Sequence, residues 1–225
     1  MSRTALIAGG TGLVGSQLLD RLLAAPDYAR VVALGRRAPQ PAVGLADERR
    51  FEFLATDFTG LDARLPDLKV DDAFCCLGTT RAAAGSRAAF AHVDFDMVIA
   101  FARFARDRGA QRFVVVSALG ASARSPAFYL RVKGCMESAV ASLGFASSSV
   151  VRPSLLLGQR AQSRLGEALA QRVTPLFAPL LVGPLRAARP VRATAVANAM
   201  LTLARSGVPG HHVYTLPLAT VASQV

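Results

Sequence analysis

The chain has no tryptophan, three cysteines and only two lysines, Lys69 and Lys133, among its 26 basic residues. Three cysteines are too few, and odd in number, for a disulfide framework. Cys75 and Cys76 are neighbours in an apolar stretch that reads as a strand, so their side chains point to opposite faces and cannot share a metal. They read as small core residues in a reducing compartment, and no metal site is expected; His92, His211 and His212 show no ligand spacing either. No apolar run reaches membrane-spanning length, because the greasiest segment, VTPLFAPLLVGPL, is broken by Pro175, Pro179 and Pro184. The amino end also lacks the cationic start, apolar stretch and cleavage site of a secretory signal. A soluble, cytoplasmic protein with no membrane partner is therefore expected.

Charge of one sign is in excess, with a formal net charge of +11. A concentrated basic face would attract nucleic acid through counterion release. Here the arginines are scattered, no basic run exceeds two residues, and aromatics make up only 7% of the chain, so the excess reads as a solvated surface rather than a nucleic-acid interface.

What is present is an alternation of short apolar strands with longer helical stretches. TALIA, VVALG, FEFLA, DAFCCL, FVVVSA and SSVVR read as strands, with helices after the first, from about Ala88, and after the fifth. Near-continuous apolarity means burial on both faces, so the expected fold is α/β: a Rossmann-type, doubly wound parallel sheet with helices on both faces. Val14, Leu18 and Leu22 recur every four residues on one face of the first helix, and Pro26 closes it. With 225 residues, 52% of them hydrophobic, a single domain over 1–225 is expected. From about 154 to 212 the pattern loosens; a short helix near Gly166 to Arg172, a second from about Thr194 to Arg205 and a strand near Val213 are expected to form a small C-terminal cap on the substrate side.

Directly after the first strand stands GGTGLVGSQLL, with Gly9, Gly12 and Gly15 three apart at the opening of a helix. The chain there must turn tightly and bring backbone up to a pyrophosphate, whose charge is met by the amides and dipole of the helix start. A P-loop would need a Gly-Lys-Ser/Thr ending, which is missing. At the end of the second strand, where an NAD-selective site would carry an acid, the sequence has Arg36 and Arg37. Guanidinium forks suit the extra 2′-phosphate, so NADP(H) is expected over NAD(H).

Ser117 ends the fifth strand, and Tyr129 and Lys133 follow four residues apart on a helix. That spacing puts phenol and ammonium on one helix face, where the cation is expected to draw the tyrosine pKa down and make it a usable general acid or base. Ser117, Tyr129 and Lys133 are the expected catalytic set, acting on a small-molecule carbonyl or alcohol.

Together these residues resemble the short-chain dehydrogenase/reductase superfamily, of the atypical kind with a Gly-x-x-Gly-x-x-Gly turn. The stretches CCLGTTRAAAGS, YLRVKG at 129–134 and VVRPSLLLGQR are similar to the subgroup that includes the HIV Tat-interacting protein and its bacterial relatives. The resemblance implies that Thr11, Leu13 and Val14 line the cofactor diphosphate, that Asp57 and Phe58 flank the adenine, and that Leu77, Gly78, Thr79 and Thr80 follow the ribose. It places Pro153 at the nicotinamide side and has Lys133 also bond the nicotinamide ribose. Asp94 departs from the pattern, standing about where many relatives carry a helix asparagine. Some members of the subgroup resemble regulators more than enzymes, which leaves a non-catalytic NADPH sensor as the alternative. The sequence leaves monomer and homodimer equally open.

Overall fold

The computed structural model describes residues 3–42, 49–64, 67–154, 156–157 and 190–216. The apolar stretches become β1 (Arg3–Ala8), β2 (Tyr28–Gly35), β3 (Phe51–Ala55), β4 (Asp72–Cys75), β5 (Arg112–Val116), β6 (Ser147–Pro153) and, late in the chain, β9 (Gly210–Leu216). They form one seven-stranded sheet in the order β3-β2-β1-β4-β5-β6-β9, with every neighbouring pair parallel. This is the expected doubly wound architecture, and its order reverses between β1 and β4, where ligands of such sheets bind.

Successive strand residues serve opposite cores, as period-two geometry demands. Leu6, Ala8, Val32, Leu34, Cys75 and Val115 face α5 (Met97–Asp107) and α6 (Phe128–Ala141), where Phe101, Phe104, Ala105, Met136 and Val140 fill the space. Ala5, Ile7, Val31, Ala33, Phe74 and Val114 face α1 (Leu13–Ala24) and α7 (Ala193–Ser206), meeting Leu18, Leu19, Leu22, Val196, Ala197 and Met200. Each such leucine, removed from water, contributes roughly 1.5–3 kcal/mol. Cys75 and Cys76 go to opposite cores as expected, and burial pushes the Cys75 thiol up to about 12.

Smaller elements complete the chain: α2 (Leu61–Arg64), α3 (Arg81–Ala84), α4 (Arg87–Ala91) and a two-stranded pair, β7 (Leu156–Leu157) with β8 (Val191–Arg192). The long helix expected from Ala88 is α4 plus α5, joined by a π-helical turn over His92–Asp96. The helix and strand near Thr194 and Val213 form as expected, as parts of the main layers. The α7 helix packs against α1, and β9 pairs with β6 from Ser147↔Gly210 to Pro153↔Leu216. An apolar face on α7 and a free edge on β6 are better buried in the sheet than left over its rim. Residues 158–189 of the expected cap, including the helix near 166–172, lie outside the described residues.

At the amino ends of the strands one acid organises the charges. Asp72 is fully buried and accepts from the Tyr28 hydroxyl at 2.6 Å while Arg3 and Arg112 close on its oxygens. Asp27 binds Arg3 and Arg205 at the same end. Breaking a buried ion pair by deleting one partner is expensive. Asp72→Ala is expected to cost roughly 3 kcal/mol in chemical denaturation, since Tyr28 and the inner guanidinium nitrogens lose their acceptor. The Arg205 hydrogen bond holds Asp27 at about 2, below its ordinary 3.8. Its contribution is therefore complete above the ordinary value and lost as pH falls towards 2, and Asp27→Asn is expected to flatten that part of the acid-unfolding curve.

Candidate functional site

The residues singled out in the sequence all gather at the carboxyl ends of the strands. Gly9 follows β1, Arg36 and Arg37 follow β2, Asp57 and Phe58 follow β3, Leu77 to Thr80 follow β4, Ser117 follows β5 and Pro153 ends β6. Ala8 and Cys75 lie side by side where the strand order reverses, so the glycine turn and the loop after β4 share one cleft.

The turn is built for close approach. Gly9 has φ +83°, and a Cβ on it would lie 2.6 Å from the Cys76 carbonyl. A Cβ on Gly15 would run into the Gly9 carbonyl, so the first turn of α1 sits against the end of β1 with no space for a side chain. Gly12 is the N-cap, no side chain caps the helix, and no acid occupies its first turn. The uncapped amides and positive dipole end are available to an anion. Val14 is buried in the core and Leu13 is half-buried, so their contact with a diphosphate would come through backbone N–H groups, with exposed Thr11 alongside. A glycine cradle of this kind fits a dinucleotide pyrophosphate.

Around it the expected ligands divide. Arg36 and Arg37 are exposed, without an ion-pair partner among the described residues. Asp57 is exposed and accepts from the backbone and hydroxyl of Thr59 at 3.0 and 2.7 Å. Phe58 turns away: it adopts φ +69°, its ring packs edge-on to Phe101 and is 6% exposed, and its amide donates to Thr56 Oγ1. That apolar ring gains more in the core than at a wet rim. The Thr80 hydroxyl caps α3 by accepting from the Ala83 amide, and Leu77 and Thr79 are half-buried beside it.

Of the three residues expected to act together, Lys133 is joined by Asp94. Ser117 is buried, its amide donates to the Val151 carbonyl at 2.8 Å, and its hydroxyl has no hydrogen-bond partner among the described residues. Tyr129 is 38% exposed, tilted against Phe90 with ring centroids 5.6 Å apart. Lys133 is buried, and its Nζ lies 2.7 Å from Asp94 Oδ1 in an ion pair withdrawn from solvent. The Thr79 amide donates to the other oxygen of Asp94 at 2.8 Å. Asp94 reaches Lys133 from the π-helical turn, whose closing bond runs from the Met97 amide to the His92 carbonyl.

Burial reverses one expectation. It pushes the Tyr129 phenol above its ordinary 10.0, outweighing Lys133, which opposes the rise; Asp94 adds a smaller contribution to it. Sequence spacing identified Tyr129 and Lys133, whereas the Asp94 contact depends on two distant segments meeting and on an extra residue in one helical turn.

Comparison with known proteins agrees with this geometry. Residues 5–214 match the model of the NAD dependent epimerase/dehydratase family. The chain is 38% identical over 173 residues to protein fmp52, mitochondrial, of Emericella nidulans, covering 76% of this chain and 74% of that one. It is 31% identical over 221 residues to FMP52 of Lodderomyces elongisporus, covering 93% and 90%. The fold resembles WbmH of Bordetella bronchiseptica in complex with NAD+, with a TM-score of 0.70 at 15% identity over 96% of this chain and 76% of that one. It also resembles a short chain dehydrogenase family protein of Francisella tularensis, with a TM-score of 0.67 at 14% identity over 96% and 97%. The cytoplasmic expectation is overturned by the curated relatives, which are fungal and named mitochondrial. Lack of an apolar secretory leader bears only on the secretory route and is silent about mitochondria. With its glycine cradle, its parallel sheet and this match along most of its length, the chain belongs to the NAD-dependent epimerase/dehydratase family.

Proposed function

We propose that the protein is an NADP(H)-dependent oxidoreductase that transfers hydride to or from a small carbonyl or alcohol. The observation that carries this reading is the Ser117 hydroxyl, buried and unpartnered at the carboxyl end of β5. A buried polar group left without a partner costs about 1–3 kcal/mol, a cost that a substrate oxygen seated there would relieve. Ser117 donates a hydrogen bond to the carbonyl oxygen and fixes its position. Tyr129 gives the same oxygen its proton, and water at its exposed edge restores the phenol. Lys133, held by Asp94, fixes the floor of the site. When bound, the nicotinamide supplies the hydride that the carbonyl carbon receives.

The NADP(H) preference rests on Arg36 and Arg37, exposed just beyond β2 where the adenine ribose of a bound dinucleotide would lie. The family name and the NAD+ bound to WbmH favour the rival cofactor, NAD(H). Within the superfamily, the YLRVKG and CCLGTT stretches support kinship with the Tat-interacting-protein subgroup. The names of the fungal relatives support a mitochondrial setting. A second reading, an NADPH-binding sensor without turnover, is favoured by the high phenol pKa of Tyr129 and the charge compensation at Lys133.

Calorimetry tests the cofactor: Arg36→Ser with Arg37→Ser is expected to weaken NADPH binding about tenfold or more and to leave NADH binding unchanged. Equal wild-type affinities for the two would refute the preference. For turnover, Tyr129→Phe is expected to lower NADPH oxidation with a panel of aldehydes and ketones by about 10²–10⁴ while NADPH still binds. If neither wild type nor variant oxidises NADPH with any carbonyl, the sensor reading stands instead.

A further inference from the structure

From Ala73 to Val93 the chain carries Arg81 and Arg87 and no acid, and from Ser117 to Met136 it carries Arg124, Arg131 and Lys133 and again no acid. Asp94, the carboxylate that follows the first of these segments, is taken by Lys133. Between α3 and α4 lies a hollow of about 440 Å³, lined by Arg81, Ala82, Gly85, Ser86 and Arg87. Its size is that of a small-molecule cleft. Gly85, at φ +79°, turns the chain from one helix to the next, so that both arginines border the same space. Both are exposed, and neither has an ion-pair partner among the described residues.

The hollow adjoins the site already described. Arg81 directly follows Thr79 and Thr80, in the loop that the Thr79 amide ties to Asp94 at 2.8 Å. Arg87 stands one helical turn before Phe90, whose ring packs against those of both Phe128 and Tyr129, with centroids 5.7 and 5.6 Å away. The Arg87 guanidinium lies over the Phe128 ring at 5.3 Å. Arg131 reaches the same ring at 6.0 Å, held by the Ser125 and Pro126 carbonyls at 2.8 and 3.1 Å. A single exposed arginine is an ordinary solvated side chain. Two on one hollow, with a third on the ring beside them and no carboxylate between, sum to a positive field that a cleft focuses. A guanidinium over a ring keeps its N–H edge free, and that fork matches carboxylate and phosphate oxygens.

We propose that this hollow is an anion subsite for the substrate, in which Arg81 and Arg87 donate to a carboxylate or phosphate group carried by the carbonyl compound. The inference deepens the oxidoreductase reading above and rests on it for the carbonyl at the other end of the ligand. It narrows the substrate class from small carbonyls at large to anionic ones, and it makes Arg81 and Arg87 the residues that set this preference. A phosphate of the dinucleotide is the rival source of the same chemistry.

Calorimetry on the intact protein, saturated with NADP+ or NAD+ so that a ketone binds without being reduced, tests the subsite. Levulinate and para-acetylbenzoate are each titrated beside their methyl esters, which keep the ketone and lose the charge. At least one acid is expected to bind about tenfold or more tightly than its ester. Arg81→Gln with Arg87→Gln is expected to bring that acid down to the affinity of its ester while the oxidised dinucleotide binds as before. No acid favoured over its ester in the wild type, or a preference that survives in the double variant, overturns the proposal. A double variant that loses dinucleotide affinity instead assigns the arginines to a cofactor phosphate and overturns it as well. Should the double variant fail to fold, Arg81→Gln and Arg87→Gln are read singly by the same criteria. None of these readings needs turnover, so an acid preference lost in the variant of a protein that oxidises no NADPH supports the anion subsite while refuting the oxidoreductase reading.

Discussion

The carbonyl of Gly9 is pressed against the first turn of α1, and its Cα against the carbonyl of Cys76. No side chain fits at Gly9 or Gly15, so the chain leaving β1 turns at once into a helix whose amino end stays uncapped. That contact sets the distance between β1 and α1 and keeps the ends of β1 and β4 side by side, opening the cleft at the reversal of strand order. The other site residues take their places from it, because each follows a strand whose register is tied through the sheet to β1.

Two buried acids mark the two ends of the sheet. Asp72, at the amino ends, is surrounded by Tyr28, Arg3 and Arg112, and both of its carboxylate oxygens are engaged. Asp94, at the carboxyl ends, holds one lysine and one amide, while Ser117, after β5, has a hydroxyl without a hydrogen-bond partner among the described residues. The first arrangement is satisfied on both carboxylate oxygens, while the second leaves a neutral donor free, and buried polar groups are ordinarily paired.

Much of the fold could be read from the chain because its strongest signals are local. Doubly buried strands announce themselves as short apolar runs, and a glycine turn after the first of them has few uses. The strand-end serine and the tyrosine–lysine pair were likewise visible, since i,i+4 spacing places both on one helix face. What escaped was non-local. The segment at 193–216 has ordinary helix and strand patterns, and nothing in them tells that β9 pairs with β6 instead of crowning the sheet. Phe58 sits in a loop, yet its ring enters the core through a left-handed backbone that sequence periodicity does not reveal.

Local pattern thus determined that this is a doubly wound parallel sheet with a glycine turn after its first strand, a strand-end serine, and a tyrosine and lysine on one helix face. Tertiary structure decided the electrostatics of that edge. Lys133 and Asp94 are far apart along the chain, and only the docking of α6 beside the π-helical turn brings them to 2.7 Å. Charges in low dielectric act through their nearest neighbours, so whether Lys133 lowers the acidity threshold of Tyr129 is settled by what else lies within a few ångströms, which no spacing rule along one helix contains.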